Sequence, residues 1–117
     1  EGILGTSTCD APGTARAIDW LGLKGKVVTA GTVMPAANAQ ILKDGSVSTL
    51  TLWDPANAGY AMASLATKIL NGETIEDGVN LGVEGYESMH FSSGSTKVLE
   101  GTGWLKITKD NVDSLGF

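Results

Sequence analysis

Residues 50–60 have the sequence LTLWDPANAGY, which is typical of a buried strand that runs directly into a helix. Residues 48–52 alternate small polar or β-branched residues with leucine, a pattern that favours a strand in a sheet. Asp54 is placed to cap the helix, because its carboxylate can accept from the free N–H groups of the first turn. Pro55 suits the first helical position, where no N–H is needed. The stretch therefore predicts one strand-helix unit.

The same order occurs twice more upstream of this stretch. Short links between successive strand-helix units favour a parallel sheet with right-handed crossovers. The sequence therefore predicts an α/β fold, a three-layer parallel sheet with flanking helices. Strands are expected over residues 3–8, 27–30 and 48–52, and helices over 14–21, 35–42 and 55–70. The last of these helices is apolar around most of its circumference, so we expect cover on several of its sides.

The rest of the chain follows a different pattern. Residues 73–84 are acidic and contain glycine, which indicates a loop. A short extended or hairpin tail is then expected, with Phe117 as an apolar anchor at its end. Its segments are strands over 85–91 and 96–99, an extended run over 104–107, and a last helix over 109–114 capped by Thr108.

Composition limits the possible classes of protein. The chain has 117 residues, 42% hydrophobic and 18% charged, which is typical of one globular domain. Its net charge is -5, with eight Lys and Arg scattered along it. Nucleic-acid surfaces need a basic patch, so no nucleic-acid partner is expected. The chain has no run of about 18 apolar residues, so the sequence predicts no membrane-spanning helix.

Enzyme and metal signatures are weak. His90 is the only histidine and lies in a strand-like segment, where we interpret it as structural or exposed. Cys9 is the only cysteine and has no base near it in sequence, so we expect no catalytic residue. One His and one Cys do not make a zinc site, and no nucleotide-binding motif is present. We therefore expect no metal, no cofactor and no enzyme activity.

Three turns follow the predicted strands at one edge of the sheet, where open α/β sheets bind ligands. They offer helix-start N–H groups, two carboxylates and one aromatic ring. Carboxylates accept from hydroxyl groups and a flat ring stacks on C–H faces, so this equipment suits a polyhydroxylated molecule. The alternatives are that both aspartates only cap helices and that the tryptophan is only a core residue. The predicted ligand-binding residues are Cys9, Asp10, Ala11, Thr32, Met34, Trp53 and Asp54.

At these residues the chain resembles the carboxyl-terminal third of type I periplasmic solute-binding proteins of ABC sugar importers, in particular the group that binds rhamnose or autoinducer-2. The family carries Pro where this chain has Cys9. The resemblance covers nearly the whole chain in order. It rests on Cys9-Asp10-Ala11, the segment 22–28 (GLKGKVV), Gly31 with Pro35, the segment 42–47 (LKDGSV), Leu52-Trp53-Asp54-Pro55 with Gly59-Tyr60, and Ile107-Thr108-Lys109-Asp110-Asn111.

The resemblance implies two α/β lobes that close on a sugar-like ligand and deliver it to a membrane permease. It places the family's binding turn on Cys9, Asp10 and Ala11, with ligand contacts partly from main chain. It also implies that residues 1–117 are a carboxyl-terminal fragment of a periplasmic or extracellular protein, and a lipid anchor on the full-length parent is compatible with it. Residues 1–53 would then lie mostly in the carboxyl-terminal lobe, 54–72 in the other lobe, and 73–117 would return across the hinge.

Two other classes remain open. A ligand-sensing domain of a sugar-responsive repressor shares this fold, and a small α/β enzyme is the third option. A signal peptide or a helix-turn-helix upstream would separate the first two. Because the resemblance implies that most of one lobe is missing, we expect this chain alone to bind sugar weakly or not at all. Residues 55–70 are apolar on several faces and one edge of the sheet is unpaired, so we also expect the chain to self-associate.

Overall fold

The computed structural model describes all residues 1–117 and contains three α-helices and six β-strands. The elements, in chain order, are β1 (Gly2–Gly5), α1 (Asp10–Trp20), β2 (Val28–Thr32), α2 (Pro35–Lys43), β3 (Thr49–Trp53), α3 (Pro55–Leu70), β4 (His90–Phe91), β5 (Leu99–Glu100), β6 (Trp104–Ile107) and a 3-10 helix (Val112–Ser114). Residues divide into two compact units. Unit 1 is Glu1–Leu52 with Leu105–Phe117, and unit 2 is Trp53–Trp104.

The main sheet has the strand order β1-β2-β3-β6 and is mostly parallel, as predicted. β1 pairs with β2 in parallel from Gly2↔Val28 to Gly5↔Gly31. β2 pairs with β3 in parallel from Ala30↔Thr49 to Thr32↔Thr51. Parallel pairing brings the carboxyl ends of these strands to one edge. The α/β class with flanking helices is therefore confirmed.

Several predicted boundaries were wrong near the ends of β1 and β2. β1 ends at Gly5 instead of residue 8, because Asp10 accepts from the N–H groups of Thr6 and Ser7 and draws them into a turn. α1 consequently begins at Asp10 instead of residue 14. β2 continues two residues beyond its predicted end, because Thr32 still pairs with β3. α3 has the predicted bounds.

The core of unit 1 lies between the sheet and its helices. Leu50, at the centre of β3, and Ile107, in β6, are fully buried there. Phe117 packs against this core, and its carbonyl accepts from Ala36 N at 3.1 Å, so the expected anchor is present. The predicted last helix is only a 3-10 turn, because Asn111 Oδ1 accepts from Thr108 N and Asn111 occupies the cap position.

Unit 2 consists of α3, a long loop and a short hairpin. β4 and β5 pair antiparallel through His90↔Glu100 and Phe91↔Leu99, so the predicted hairpin exists but is shorter than expected. A small core of Ala61, Leu81 and Met89 supports it. Ala61 is the only fully buried residue of α3, so the cover expected on several sides of this helix is not found here. No helix has the length and apolarity to cross a bilayer.

Candidate functional site

The turn between β1 and α1 is held by the Asp10 carboxylate. Oδ2 accepts from Thr6 N and Ser7 N, both at 2.9 Å, and Oδ1 accepts from Ser7 Oγ at 2.8 Å. These bonds, those from Ser7 first, keep the pKa of Asp10 below its ordinary value. Three of about four acceptor positions of this carboxylate are therefore occupied within the turn. One position remains for a ligand hydroxyl.

The neighbours of Asp10 contribute in different ways. Cys9 is exposed and precedes the first helical residue, without a side-chain cap bond. Ala11 is fully buried in the core of unit 1, so its side chain is a packing group. A Cβ added at Gly31 would lie 2.9 Å from the Ala11 Cβ, which shows how closely β2 approaches α1. Main-chain contacts to a ligand remain the role open to Ala11.

Thr32 and Met34 lie at the end of β2 and the start of α2. Thr32 is in the strand and not in the following turn, and its Oγ1 lies 3.1 Å from Thr51 Oγ1. Met34 is the N-cap residue of α2, and its carbonyl accepts from Asn38 Nδ2 at 3.0 Å. Both side chains stay at least partly exposed. The pair offers one hydroxyl and one flexible apolar side chain.

Asp54 caps α3, as the sequence predicted. Its Oδ1 accepts from Ala56 N at 2.7 Å and from Asn57 N at 3.2 Å. The second oxygen, Oδ2, has no protein donor in these bonds. Asp54 therefore stabilises the helix start with one oxygen and leaves the other available to a hydroxyl group.

Trp53 ends β3 with 41% of its surface exposed, so it is not a simple core residue. Its ring stands edge-to-face with Trp104, with centroids 5.3 Å apart and planes at 88°. Both rings line a cavity of about 240 Å³ in unit 2, together with Tyr86. The sequence analysis did not predict that Trp104 and Tyr86 lie beside Trp53. No local pattern signals them, because only the pairing order of the strands places residue 104 beside residue 53.

The seven predicted residues thus form two groups. Ala11 lies against Gly31 of β2, Asp10 lies against Gly5 of β1, and Gly5 pairs with Gly31. These three residues, Thr32 and Met34 all belong to unit 1. Trp53 and Asp54 are consecutive residues of unit 2.

Unit 2 also contains a serine-histidine-aspartate arrangement outside the prediction. His90 Nδ1 lies 2.9 Å from Asp77 Oδ2, and His90 Nε2 lies 3.2 Å from Ser88 Oγ. The bond from His90, and then that from Phe91 N, keeps the pKa of Asp77 below its ordinary value. The side chains of Asp77 and His90 are 61% and 60% exposed, so no water-excluding site surrounds them. This cluster ties the loop at Asp77 to β4.

Comparison with known proteins identifies the family to which this chain belongs. Residues 1–74 match the family described as periplasmic binding protein domain, and the chain belongs to that family. No curated protein matches it. The description of the family is that of a binding domain.

Three solved structures are similar over most or all of the chain. A sugar ABC transporter from Actinomyces odontolyticus is 28% identical, with a TM-score of 0.77, over 100% of this chain and 37% of that one. LsrB from Clostridium saccharobutylicum in complex with AI-2 is 22% identical, with a TM-score of 0.67, over 100% and 40%. A carbohydrate transporter solute-binding protein from Agrobacterium radiobacter in complex with D-arabinose is 24% identical, with a TM-score of 0.62, over 94% and 30%. The chain therefore spans well under half of each.

Proposed function

We propose that this chain is the carboxyl-terminal part of the substrate-binding component of an ABC importer. The component captures a sugar or sugar-like molecule, of the rhamnose or autoinducer-2 type, and delivers it to a membrane permease. Family membership and the similarity to sugar and carbohydrate transport proteins support this proposal. The observation that carries it is the half-exposed ring of Trp53 beside a carboxylate with a free oxygen at the end of β3.

The proposal extends to the organisation of the intact protein. Residues 1–53 belong mostly to the carboxyl-terminal lobe and 54–72 to the other lobe, and the tail 73–117 returns across the hinge. The division of the chain into compact units, with boundaries at Trp53 and Trp104, supports this arrangement. The protein works outside the cytoplasmic membrane, in the periplasm or on the cell exterior, in keeping with its family.

Ligand contacts are proposed for all seven residues predicted from the sequence. Trp53 stacks on the C–H face of the sugar, and Asp54 accepts from a hydroxyl through Oδ2. Asp10 has one acceptor position left after holding its own turn, and Cys9 and Ala11 contribute main-chain groups. Thr32 adds a hydroxyl and Met34 an apolar contact.

Calorimetry on the intact protein, produced with its upstream segment, tests this proposal. The titrants are L-rhamnose, D-arabinose and autoinducer-2. Trp53→Ala should weaken binding by about 1 kcal/mol or more, because a stacking ring is lost. Trp20→Ala is the matched control, since Trp20 is 87% exposed on α1 and belongs to unit 1. Unchanged affinity in a folded Trp53→Ala variant, or no binding of any sugar by the wild type, would count against the proposal.

A further inference from the structure

The aromatic cavity of unit 2 has the size of a small ligand. Its volume of about 240 Å³ is below the roughly 300–1,000 Å³ of pockets for drug-sized molecules, so it suits a smaller molecule such as a monosaccharide. Trp53, Trp104 and Tyr86 supply three aromatic walls. In an edge-to-face pair, one ring keeps both faces free of its partner, and both indoles are at least 41% exposed. Ring faces are therefore accessible for stacking.

The same three residues carry polar hydrogens without a protein partner. Neither indole N–H nor the Tyr86 hydroxyl takes part in any hydrogen bond within the chain, and none of them is a buried unsatisfied group. No charged residue lines the cavity. Apolar ring faces combined with free neutral donors match the two kinds of surface that a sugar presents, C–H faces and hydroxyl oxygens.

Glycine is required where the cavity wall comes closest to the ring of Tyr86. A Cβ at Gly103 would lie 2.8 Å from Tyr86 Cζ and from Tyr86 Oη, closer than atoms can approach. A Cβ at Gly101 would likewise collide with Met89 Sδ. The absence of side chains at 101 and 103 lets the ring of Tyr86 lie against the chain just before β6. The cavity wall therefore depends on these two residues.

A second cavity of similar volume lies along α3 and gives a useful contrast. It shares Ala58, Tyr86, Met89 and Leu99 with the first, but it contains no indole. The residues found only there are Ala61, Met62, Leu65 and Leu81. Only the first cavity combines several aromatic faces with several donors.

We propose that the cavity lined by Trp53, Trp104 and Tyr86 binds a neutral monosaccharide-sized polyol, and that Trp104 and Tyr86 are ligand-contacting residues beside Trp53. This inference rests on the proposed sugar-binding function and specifies its ligand class. Stacking on an indole accounts for affinity, and the free N–H and O–H donors orient the hydroxyl groups. The lack of a cationic residue disfavours sugar phosphates and sugar acids, whose charge would lose water without a partner.

The test uses the intact protein, produced with its upstream segment, because the 117-residue chain alone is expected to bind sugar weakly or not at all. The three indole N–H signals of Trp20, Trp53 and Trp104 are assigned in ¹H–¹⁵N spectra with single Trp→Phe variants. D-arabinose and L-rhamnose are then titrated, with D-glucuronate and D-arabinose 5-phosphate as charged probes. We expect the signals of Trp53 and Trp104 to move with the neutral sugars only, and that of Trp20 to stay in place.

Variants then separate the contributions of the cavity walls. Trp104→Ala should weaken binding of the neutral sugar roughly three- to tenfold, as expected for one lost aromatic contact. Tyr86→Phe keeps the wall and removes the hydroxyl, and it should weaken binding by a few-fold. Gly103→Ala should abolish the shift of Trp104 by displacing Tyr86. Trp20→Phe should leave affinity unchanged.

Different outcomes overturn the inference and the proposed function separately. If the signal of Trp53 moves while that of Trp104 stays fixed, the cavity assignment is wrong and sugar capture stands. If charged sugars bind as well as neutral ones, or if all three indoles respond equally, the neutral pocket is wrong. If no signal moves at saturating sugar, the cavity does not bind sugar, and calorimetry on the intact protein decides the function independently.

Discussion

Asp10 and Asp54 both lie where a strand is followed by a helix, yet their carboxylates accept hydrogen bonds from different parts of the chain. Asp54 is an N-cap that accepts from the N–H groups ahead of it in α3. Asp10 is already inside α1, and it accepts from the N–H groups behind it at Thr6 and Ser7. The difference follows from position: Pro55 fixes the start of α3 directly after Asp54, whereas Pro12 allows α1 to begin two residues earlier. The Asp10 carboxylate therefore closes a turn, and the Asp54 carboxylate caps the start of a helix.

Replacing Asp54 separates its capping role from its proposed ligand role. Asp54→Ala should lower the free energy of unfolding by about 1 kcal/mol, because two first-turn N–H groups lose their acceptor. Asp54→Ser should largely restore stability, since a serine hydroxyl also caps, while still weakening sugar binding in the intact protein. Urea unfolding measures the first effect and calorimetry the second. Asp110→Ala is the control, because the Asp110 carboxylate makes no hydrogen bond in the structure. Full sugar affinity in Asp54→Ser would show that Asp54 is only a cap.

Stability should fall in acid because of the hydrogen-bonded aspartates. The pKa values of Asp10 and Asp77 are lower in the folded chain than in the unfolded chain. Their contribution is therefore complete above the unfolded carboxyl pKa of about 3.9, and it is lost as the pH falls through the folded values. The urea midpoint should decrease as the pH falls below about 4. Asp77→Asn should make that decrease smaller. An equal acid slope in this variant would contradict the assignment.

At the scale of elements, the close approach of α1 to β2 is what sets the geometry of the first two turns. Gly31 lies in β2 opposite Gly5 of β1, and Ala11 of α1 presses against it. A helix can approach a strand this closely only where one of the facing residues lacks a side chain. The turn that contains Asp10 is held at the sheet edge by this contact.

Gly31→Ala should destabilise unit 1 by about 1–3 kcal/mol, because its methyl group would collide with Ala11 and force α1 away from the sheet. Gly13→Ala is the matched substitution. Gly13 is inside α1 with open space around its Cα, so alanine there should stabilise by about 0.5–1 kcal/mol. Thermal and urea unfolding of both variants measure these changes. Combining Gly31→Ala with Ala11→Gly should recover part of the loss, and strictly additive effects would refute the proposed contact.

At the scale of the whole molecule, several large apolar side chains remain uncovered. On α3, Met62 is 68% and Leu70 is 86% exposed, and Tyr60 and Ile69 are also exposed. β1 has a neighbour on only one side, so its other edge is unpaired. Exposed apolar faces and free strand edges favour association with other chains. Self-association of the 117-residue chain through α3 is therefore expected.

Light scattering and sedimentation over a wide concentration range measure this association. The wild-type chain should increase in mass with concentration, and Met62→Lys with Leu70→Lys should shift the transition to higher concentration. Trp20→Lys is the control, because Trp20 is as exposed as Leu70 but lies on α1. A monomeric mass throughout, together with tight sugar binding by this chain alone, would show that these residues form a complete binding unit. Equal effects of the α3 and α1 substitutions would place the contact elsewhere.

The order of elements was predictable because it depends on local chemistry. The alternation of Leu50 and Leu52 in β3, the cap at Asp54 and the proline at position 55 all act within a few residues. That is why α3 has its predicted bounds and the three strands are parallel. The predicted boundaries of an element were wrong where a residue distant in the chain determines its length. β2 is prolonged by pairing with β3, a contact that residues 29–35 alone do not reveal.

In the candidate site, too, some features follow from the local sequence and others only from the tertiary structure. The sequence by itself determined the α/β order, the cap at Asp54 and the position of Trp53 at a strand end, because backbone propensity and side-chain capping are encoded over short stretches. Only the tertiary structure decided that Trp104 and Tyr86 join Trp53, and that Asp10 is committed to its own turn. Residues 53, 86 and 104 become neighbours through strand pairing and through the close approach allowed by Gly103. Such contacts depend on packing between segments distant in the chain, which no local pattern records.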